Sequence, residues 1–229
     1  MGSLARRLLK QAAMDLSSDP PGAKKRLIFG AALWVLLVGA GFRSLLAYSL
    51  TSGEAAHAPA QWPAETALLS PAGGPTLLVF LHPRCPCSRA TSGELALLMA
   101  QTPHGGDARV FFLRPAGVED DWVETDLWRS VSSIPGVTVF RDDEGVEARR
   151  FGAATSGETM LYDKGGRLLF HGGITSGRGH SGDNDGRSAL TALMNGNLAD
   201  RTDTAVFGCP LFAPEGPCTH RGSAQCPKS

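Results

Sequence analysis

The chain has 229 residues, 42% of them hydrophobic, which is enough for one ordinary domain with a buried core and tails. Lys plus Arg and Asp plus Glu each number 22, so the overall balance gives no attraction for nucleic acid or another polyanion. Function therefore has to be read from local patterns.

Residues 1–26 form a basic leader in which Arg6, Arg7, Lys10, Lys24, Lys25 and Arg26 face only Asp15 and Asp19. The apolar run from Leu27 to Phe42 follows and resumes past Arg43 to Leu50, so residues 27–50 are predicted to span a membrane. As a helix they reach about 36 Å against a hydrocarbon core of about 30 Å, and Arg43 can snorkel to the headgroups. With the positive charge ahead of the span, the N-terminus is expected in the cytoplasm and the rest of the chain outside. That is the topology of a single-pass signal anchor in an inner membrane with a periplasmic domain. A signal peptide cleaved at Ala56-His57-Ala58 and a buried core helix are the alternatives.

Residues 51–74 are rich in Ala, Pro, Gly and Ser and read as a tether. A domain over residues 75–200 follows. Pro75 to His82, "PTLLVFLH", suits a buried strand, and a helix is expected from Cys85 to about Thr102. Ala108 to Pro115 is a second strand, Val118 to Val131 a second helix with Trp122, Val123, Leu127 and Trp128 on one face, and Gly136 to Phe140 a third strand. A helical turn ends at Gly152, "ETMLYD" and "RLLFHGG" flank a glycine turn at Lys164-Gly165-Gly166, and Asp185 to Leu198 forms the last helix. The fold class is α/β, a mixed β-sheet with helices on both faces.

The chemistry concentrates in "HPRCPCSRA", where Cys85 and Cys87 stand one proline apart between a strand and a helix. If the helix opens at Cys85, Pro86 takes its first position, where a missing N–H costs nothing. The Cys85 sulfur then meets unpaired N–H groups and the positive end of the helix dipole, with Arg84 and Arg89 close in sequence. All favour thiolate over thiol. Cys87 can close a small, strained and exposed disulfide with it, so Cys85 is expected to attack and Cys87 to resolve. Two other readings remain: inert buried cysteines, or a copper or zinc site in which the pair is joined by His82 or Cys209.

A strand, cysteines at a helix start and a late β-hairpin make residues 75–198 resemble the thioredoxin-like superfamily. "HPRCPCS", "TSGETMLYD", "GGRLLFHGGIT" and "RGHSGDN" resemble most the bacterial membrane-tethered proteins of the RedB kind. The resemblance implies thiol-disulfide exchange with exported or membrane proteins, and no cofactor beyond the redox-active disulfide. Two departures stand out. C-x-C replaces C-x-x-C, and Ser156-Gly157 stands where thioredoxins carry a cis-proline, so no cis bond is expected there. Gly157 could admit a substrate backbone, Thr155 or Ser156 could offer a hydroxyl to the sulfur, and Pro86 completes the expected groove. His82 stands three residues before Cys85, where peroxiredoxin chemistry would want threonine.

The glycine-rich segment from His171 to Arg187 carries Arg178 and His180. His180 reads as a proton shuttle or as part of a solvated loop in which Asp183 or Asp185 caps the next helix. Residues 201–229 are a tail holding Cys209, Cys218 and Cys226, whose spacing lacks the short pairs of a zinc site. Outside the cytoplasm a Cys209–Cys218 disulfide is one expectation, and electron relay between Cys209 and Cys87 across the active face is another. Three classes of function stay open: a disulfide-exchange enzyme, a metal-binding module or metallochaperone, and a catalytically silent binding domain.

Overall fold

The structure is a computed structural model describing residues 22–54, 56–66, 68, 73–102 and 106–212. Cys218 and Cys226 lie outside the described residues, as does most of the basic leader. An N-terminal helix, α1 (Ala23–Leu50), is long and apolar enough to cross a membrane and buries none of its residues. The core-helix alternative therefore falls. The chain divides into two compact units, residues 1–48 and residues 49–229.

The second unit contains a five-stranded sheet ordered β3-β2-β1-β4-β5. Its strands are β1 (Thr76–Leu81), β2 (Asp107–Arg114), β3 (Val137–Asp143), β4 (Glu158–Tyr162) and β5 (Leu168–Gly172). β1, β2 and β3 run parallel, with Val79 beside Val110 and Val110 beside Val139. β4 lies antiparallel to both β1 and β5, and the hairpin closes through a turn in which the Asp163 carboxylate accepts the N–H groups of Gly165 and Arg167. The unbroken apolar run of β1 follows from its central position, buried on both faces. Leu77, Val79 and Leu81 face one core, built with α2 (Ser88–Gln101), α3 (Asp126–Ser132) and α5 (Asp185–Met194). Leu78 and Phe80 face the other, with Phe151, Tyr162 and Ala148 of α4 (Val146–Arg150).

Four local expectations need correction. The helix predicted at Cys85 starts at Ser88, because Ser88 and Arg89 donate to the carbonyls three residues back, at Cys85 and Pro86, and make a tighter lead-in turn. The helix expected over 118–131 breaks into a short 3₁₀ turn, Asp120–Trp122, and α3, because the Thr125 hydroxyl caps α3 by accepting the Trp128 N–H. α5 ends at Met194 rather than Leu198, and its cap is Asn184, whose side chain accepts the Arg187 N–H, rather than either flanking aspartate.

The fourth concerns the tether. Between residues 53 and 62 the backbone bonds to the domain: Gly53 donates to Val206, His57 to Gly152 and Trp62 to Gly166, while Leu168 donates back to Ala60. Trp62 packs edge-on to Phe151 and Tyr162 at 5.1 and 5.2 Å between ring centroids, and the Tyr162 hydroxyl donates to the Pro59 carbonyl. This stretch is a docked edge of the domain. Its Ala and Pro content conceals that because one aromatic and a row of backbone bonds hold it. Trp62→Ala in the full chain in detergent is expected to cost about 3 kcal/mol, the loss of a large aromatic contact. The urea midpoint followed by near-UV circular dichroism measures it, and an unchanged midpoint would mean that the segment is not docked.

Candidate functional site

Cys85 lies just past the C-terminal end of β1, where His82 has already left the sheet. Its own N–H donates to the His82 carbonyl, and its carbonyl accepts the Ser88 N–H. The turn is tied to its neighbour by the buried hydroxyls of Ser88 and Ser156, 2.8 Å apart, and by the His82 N–H, which donates to the Ser156 hydroxyl at 2.8 Å. Gly157, at φ 98°, donates its N–H to the carbonyl of Phe80. A Cβ there would come within 3.1 Å of the Thr91 hydroxyl, so glycine answers both the backbone conformation and the close approach. Among the described residues no peptide bond is cis.

Burial opposes ionisation of Cys85, yet its thiol is held below the usual range. The Cys209 thiol, the backbone N–H groups of Cys209 and Cys87, and the Ser88 hydroxyl are what favour the ionised form. The Cys85 and Cys209 sulfurs are 2.8 Å apart. Burial and the bond to Cys85 push the Cys209 thiol up to about 12, opposite in direction to the shift at Cys85. Burial and the charge on Cys85 also push the Cys87 thiol up, partly offset by the Arg178 guanidinium. Of the three thiols, Cys85 is thus the one shifted toward ionisation.

The charges expected to favour that anion are engaged elsewhere. Arg84 stacks its guanidinium over Trp122 at 4.8 Å, and Arg89 pairs with Asp126 at 2.7 Å. The cation acting on the sulfurs is Arg178, which also donates to the carbonyls of Gly208 and Thr51. The glycine loop gave it no more prominence than His180, whose Nδ1 instead meets the Arg178 carbonyl at 2.9 Å on an exposed surface. His82 meets Trp122 edge-on at 5.5 Å, its Nδ1 accepts the Arg84 N–H, and burial followed by the Arg84 charge lowers its pKa.

Two further expectations change. Neither Thr155 nor Ser156 turns its hydroxyl to a sulfur: Thr155 donates to the Glu54 carbonyl, and Ser156 is taken by His82 and Ser88. Nor is the Cys85 sulfur open, since Cys85 is 4% exposed, although Pro86 beside it is exposed. The chain near Cys209 covers it. Cys209 lies against Cys85 rather than Cys87. Among the described residues no cluster of three or more His, Cys, Asp or Glu is placed to hold a metal ion.

Sequence reasoning also missed how the glycine loop is held. Glu94 of α2 is fully buried and accepts the Gly182 N–H at 2.7 Å and the Asn184 amide, and its carboxylate is 2.7 Å from Arg187. A buried carboxylate needs such partners, so the loop carrying Arg178 is fixed against the helix that follows the cysteines. A glutamate at a core-facing helical position was the available signal.

The mixed sheet with its parallel β1-β2-β3 half, antiparallel β4-β5 hairpin, and cysteines between β1 and α2 is a thioredoxin-like fold. No protein-family model and no curated protein matches the sequence. Among solved structures, the chain is similar to an uncharacterised conserved protein from Geobacillus kaustophilus, with a TM-score of 0.52 and 17% identity over 73% of this chain and 95% of that one. It also matches a hypothetical protein from Sinorhizobium meliloti 1021, with a TM-score of 0.48 and 24% identity over 73% and 97%. A secreted disulfide oxidoreductase from Mycobacterium tuberculosis, homologous to E. coli DsbE, matches with a TM-score of 0.40 and 20% identity over 54% and 84%.

Glu158 opens β4 directly after Gly157, is wholly buried, and among the described residues neither carboxylate oxygen has a hydrogen-bond partner. Burial raises its pKa from 4.5 to about 8. An acid whose folded pKa is raised stabilises the fold below its unfolded pKa, and that stability is lost as pH rises through the folded value. Between 4.5 and about 8 the loss is about 1.4 kcal/mol per pH unit. Glu158→Gln is expected to flatten this slope in urea denaturation at a series of pH values, and an equally steep slope in the variant would show that the carboxyl is not its source.

Proposed function

We propose that this protein is a membrane-anchored, extracytoplasmic thiol-disulfide oxidoreductase. The observation that carries the proposal is the Cys85 sulfur just past the end of the central strand, 2.8 Å from the Cys209 sulfur and shifted toward ionisation by N–H, hydroxyl and thiol donors, beside a second cysteine two residues on. A thiolate so placed is a nucleophile for disulfides.

Cys85 attacks one sulfur of a partner's disulfide, forming a mixed disulfide and releasing the partner's other sulfur as a thiolate. Cys85 then no longer carries charge, which removes the repulsion that opposes ionisation of Cys87, while Arg178 continues to favour it. The Cys87 thiolate attacks the Cys85 sulfur, and the partner leaves with its second thiolate. The partner gains two electrons and the Cys85–Cys87 pair loses two. Run backwards, the same steps oxidise a partner dithiol, and the potential of the pair against that of the compartment sets the direction.

Helix α1 and the basic residues before it support an N-in, single-pass arrangement in the inner membrane, with the thioredoxin-like unit outside. The partners proposed are exported or membrane proteins bearing thiols or disulfides, whose effective concentration near the membrane the anchor raises. The RedB-like motifs agree with this placement.

Cys85→Ser is expected to abolish reduction of an insulin disulfide by the full chain in detergent. Cys87→Ser combined with Cys209→Ser, which removes the other thiol beside Cys85, should accumulate mixed disulfides with envelope proteins, seen as mass-shifted bands that dithiothreitol collapses. Undiminished exchange by Cys85→Ser would overturn the proposal, as would tight stoichiometric copper on the purified chain that blocks alkylation of both cysteines.

A further inference from the structure

The edge at residues 154–156, where a substrate backbone is expected, is occupied by the chain itself. Residues 206–211 run antiparallel along it: the Ser156 N–H donates to the Cys209 carbonyl and the Leu211 N–H donates to the Ala154 carbonyl, both at 2.8 Å, with Thr155 bridging to Pro210. Both ends of the strand are anchored. Val206 and Leu211 are buried, the Val206 carbonyl accepts the Gly53 N–H, and Arg178 donates to the Gly208 carbonyl. Gly208 passes so close that a Cβ there would lie 1.8 Å from the Ser156 carbonyl oxygen. This pairing delivers the Cys209 sulfur to 2.8 Å from that of Cys85.

We propose that residues 206–211 occupy the substrate groove as a tethered cysteine-bearing strand, and that Cys209 exchanges disulfides with Cys85. This rests on Cys85 being the exchange nucleophile. It also names the substrate class: an extended chain segment, antiparallel to residues 154–156, with a cysteine opposite Ser156 and a residue without bulk before it.

The internal step balances without an outside reagent. Starting from the Cys85–Cys87 disulfide left by a partner, the Cys209 thiolate attacks the Cys85 sulfur. The Cys85–Cys209 bond forms as the Cys85–Cys87 bond breaks, and Cys87 leaves with the electron pair and takes up the proton that Cys209 gave up. No net oxidation occurs, because one disulfide replaces another. The product closes the groove to partners, and attack by Cys87 in the reverse direction frees Cys209 and lets the strand yield its place.

The test uses the full chain in detergent, equilibrated with glutathione buffers, quenched by alkylation and mapped without reduction. Cleavage at Arg201 and Glu215 separates Cys209 from Cys218. In Cys87→Ser, Cys85 is expected to be recovered linked to Cys209. Gly208→Val, which drives a side chain into the Ser156 carbonyl, should cut that linkage and raise Cys85 alkylation about tenfold when both chains are compared at a pH high enough to ionise that thiol in either, as expected when a thiolate is uncovered. Cys209→Ser should lower KM for an extended cysteinyl peptide disulfide several-fold.

Recovery of Cys85 linked instead to Cys218, Cys226 or glutathione would overturn the inference. So would a Gly208→Val chain whose Cys85 alkylates no faster than in the natural sequence, or an unchanged KM in Cys209→Ser. If those results come while Cys85→Ser still abolishes insulin reduction, only the tethered strand falls. If Cys85→Ser retains that activity, the proposed function falls with it.

Discussion

The site depends on favouring ionisation of one sulfur where water has been removed. Desolvation is the largest influence on Cys85 and works against the anion, so its ionisation rests entirely on donors aimed at it. Those donors come from two parts of the chain far apart in sequence: the Cys87 N–H and Ser88 hydroxyl follow it, while the Cys209 thiol and N–H arrive from the strand at residues 206–211. The donor set around Cys85 is therefore complete only when the strand at residues 206–211 is docked.

The surroundings can be understood as support for that arrangement. The serine pair at 88 and 156, with the His82 N–H, fixes the turn after β1 against the turn before β4, so the cysteine and the groove edge move as one piece. Glu94 fixes the loop that bears Arg178, and Arg178 joins residue 51, residue 208 and the sulfurs. The planar fork of its guanidinium lets one side chain donate to two carbonyls while its charge acts on the sulfurs of Cys87 and Cys209.

Much of the framework was legible in the sequence because burial writes a simple pattern. "TLLVFL" is apolar from Leu77 onward because β1 is central, and the glycine turn at 164–166 announces its hairpin. Element ends were less legible, since Thr125 and Asn184 act as caps through single hydroxyl and amide contacts that no periodicity shows. Cys85, Cys87, His82 and the 155–157 turn could be placed together from the strand-to-helix motif and the resemblance. Arg178 and the docked strand could not, because each depends on a backbone carbonyl or a glycine contact between residues distant in sequence. Arg84 and Arg89 misled for the same reason, as proximity in sequence said nothing about Trp122 and Asp126.

The replacement of proline by Ser156-Gly157 fits the occupied groove. A proline at 156 would have no N–H, and the bond from Ser156 to the Cys209 carbonyl could not form. Its ring would also displace the hydroxyl that ties the groove to the cysteine turn. The departure from the thioredoxin pattern thus gives the groove one extra backbone donor and one extra lock. Both favour an extended strand lying against it. A groove that binds its ligand strand more firmly by backbone pairing depends less on the side chains of that strand, so under the proposed exchange, selection among partners falls to whatever controls access, which in this chain is the segment already seated there.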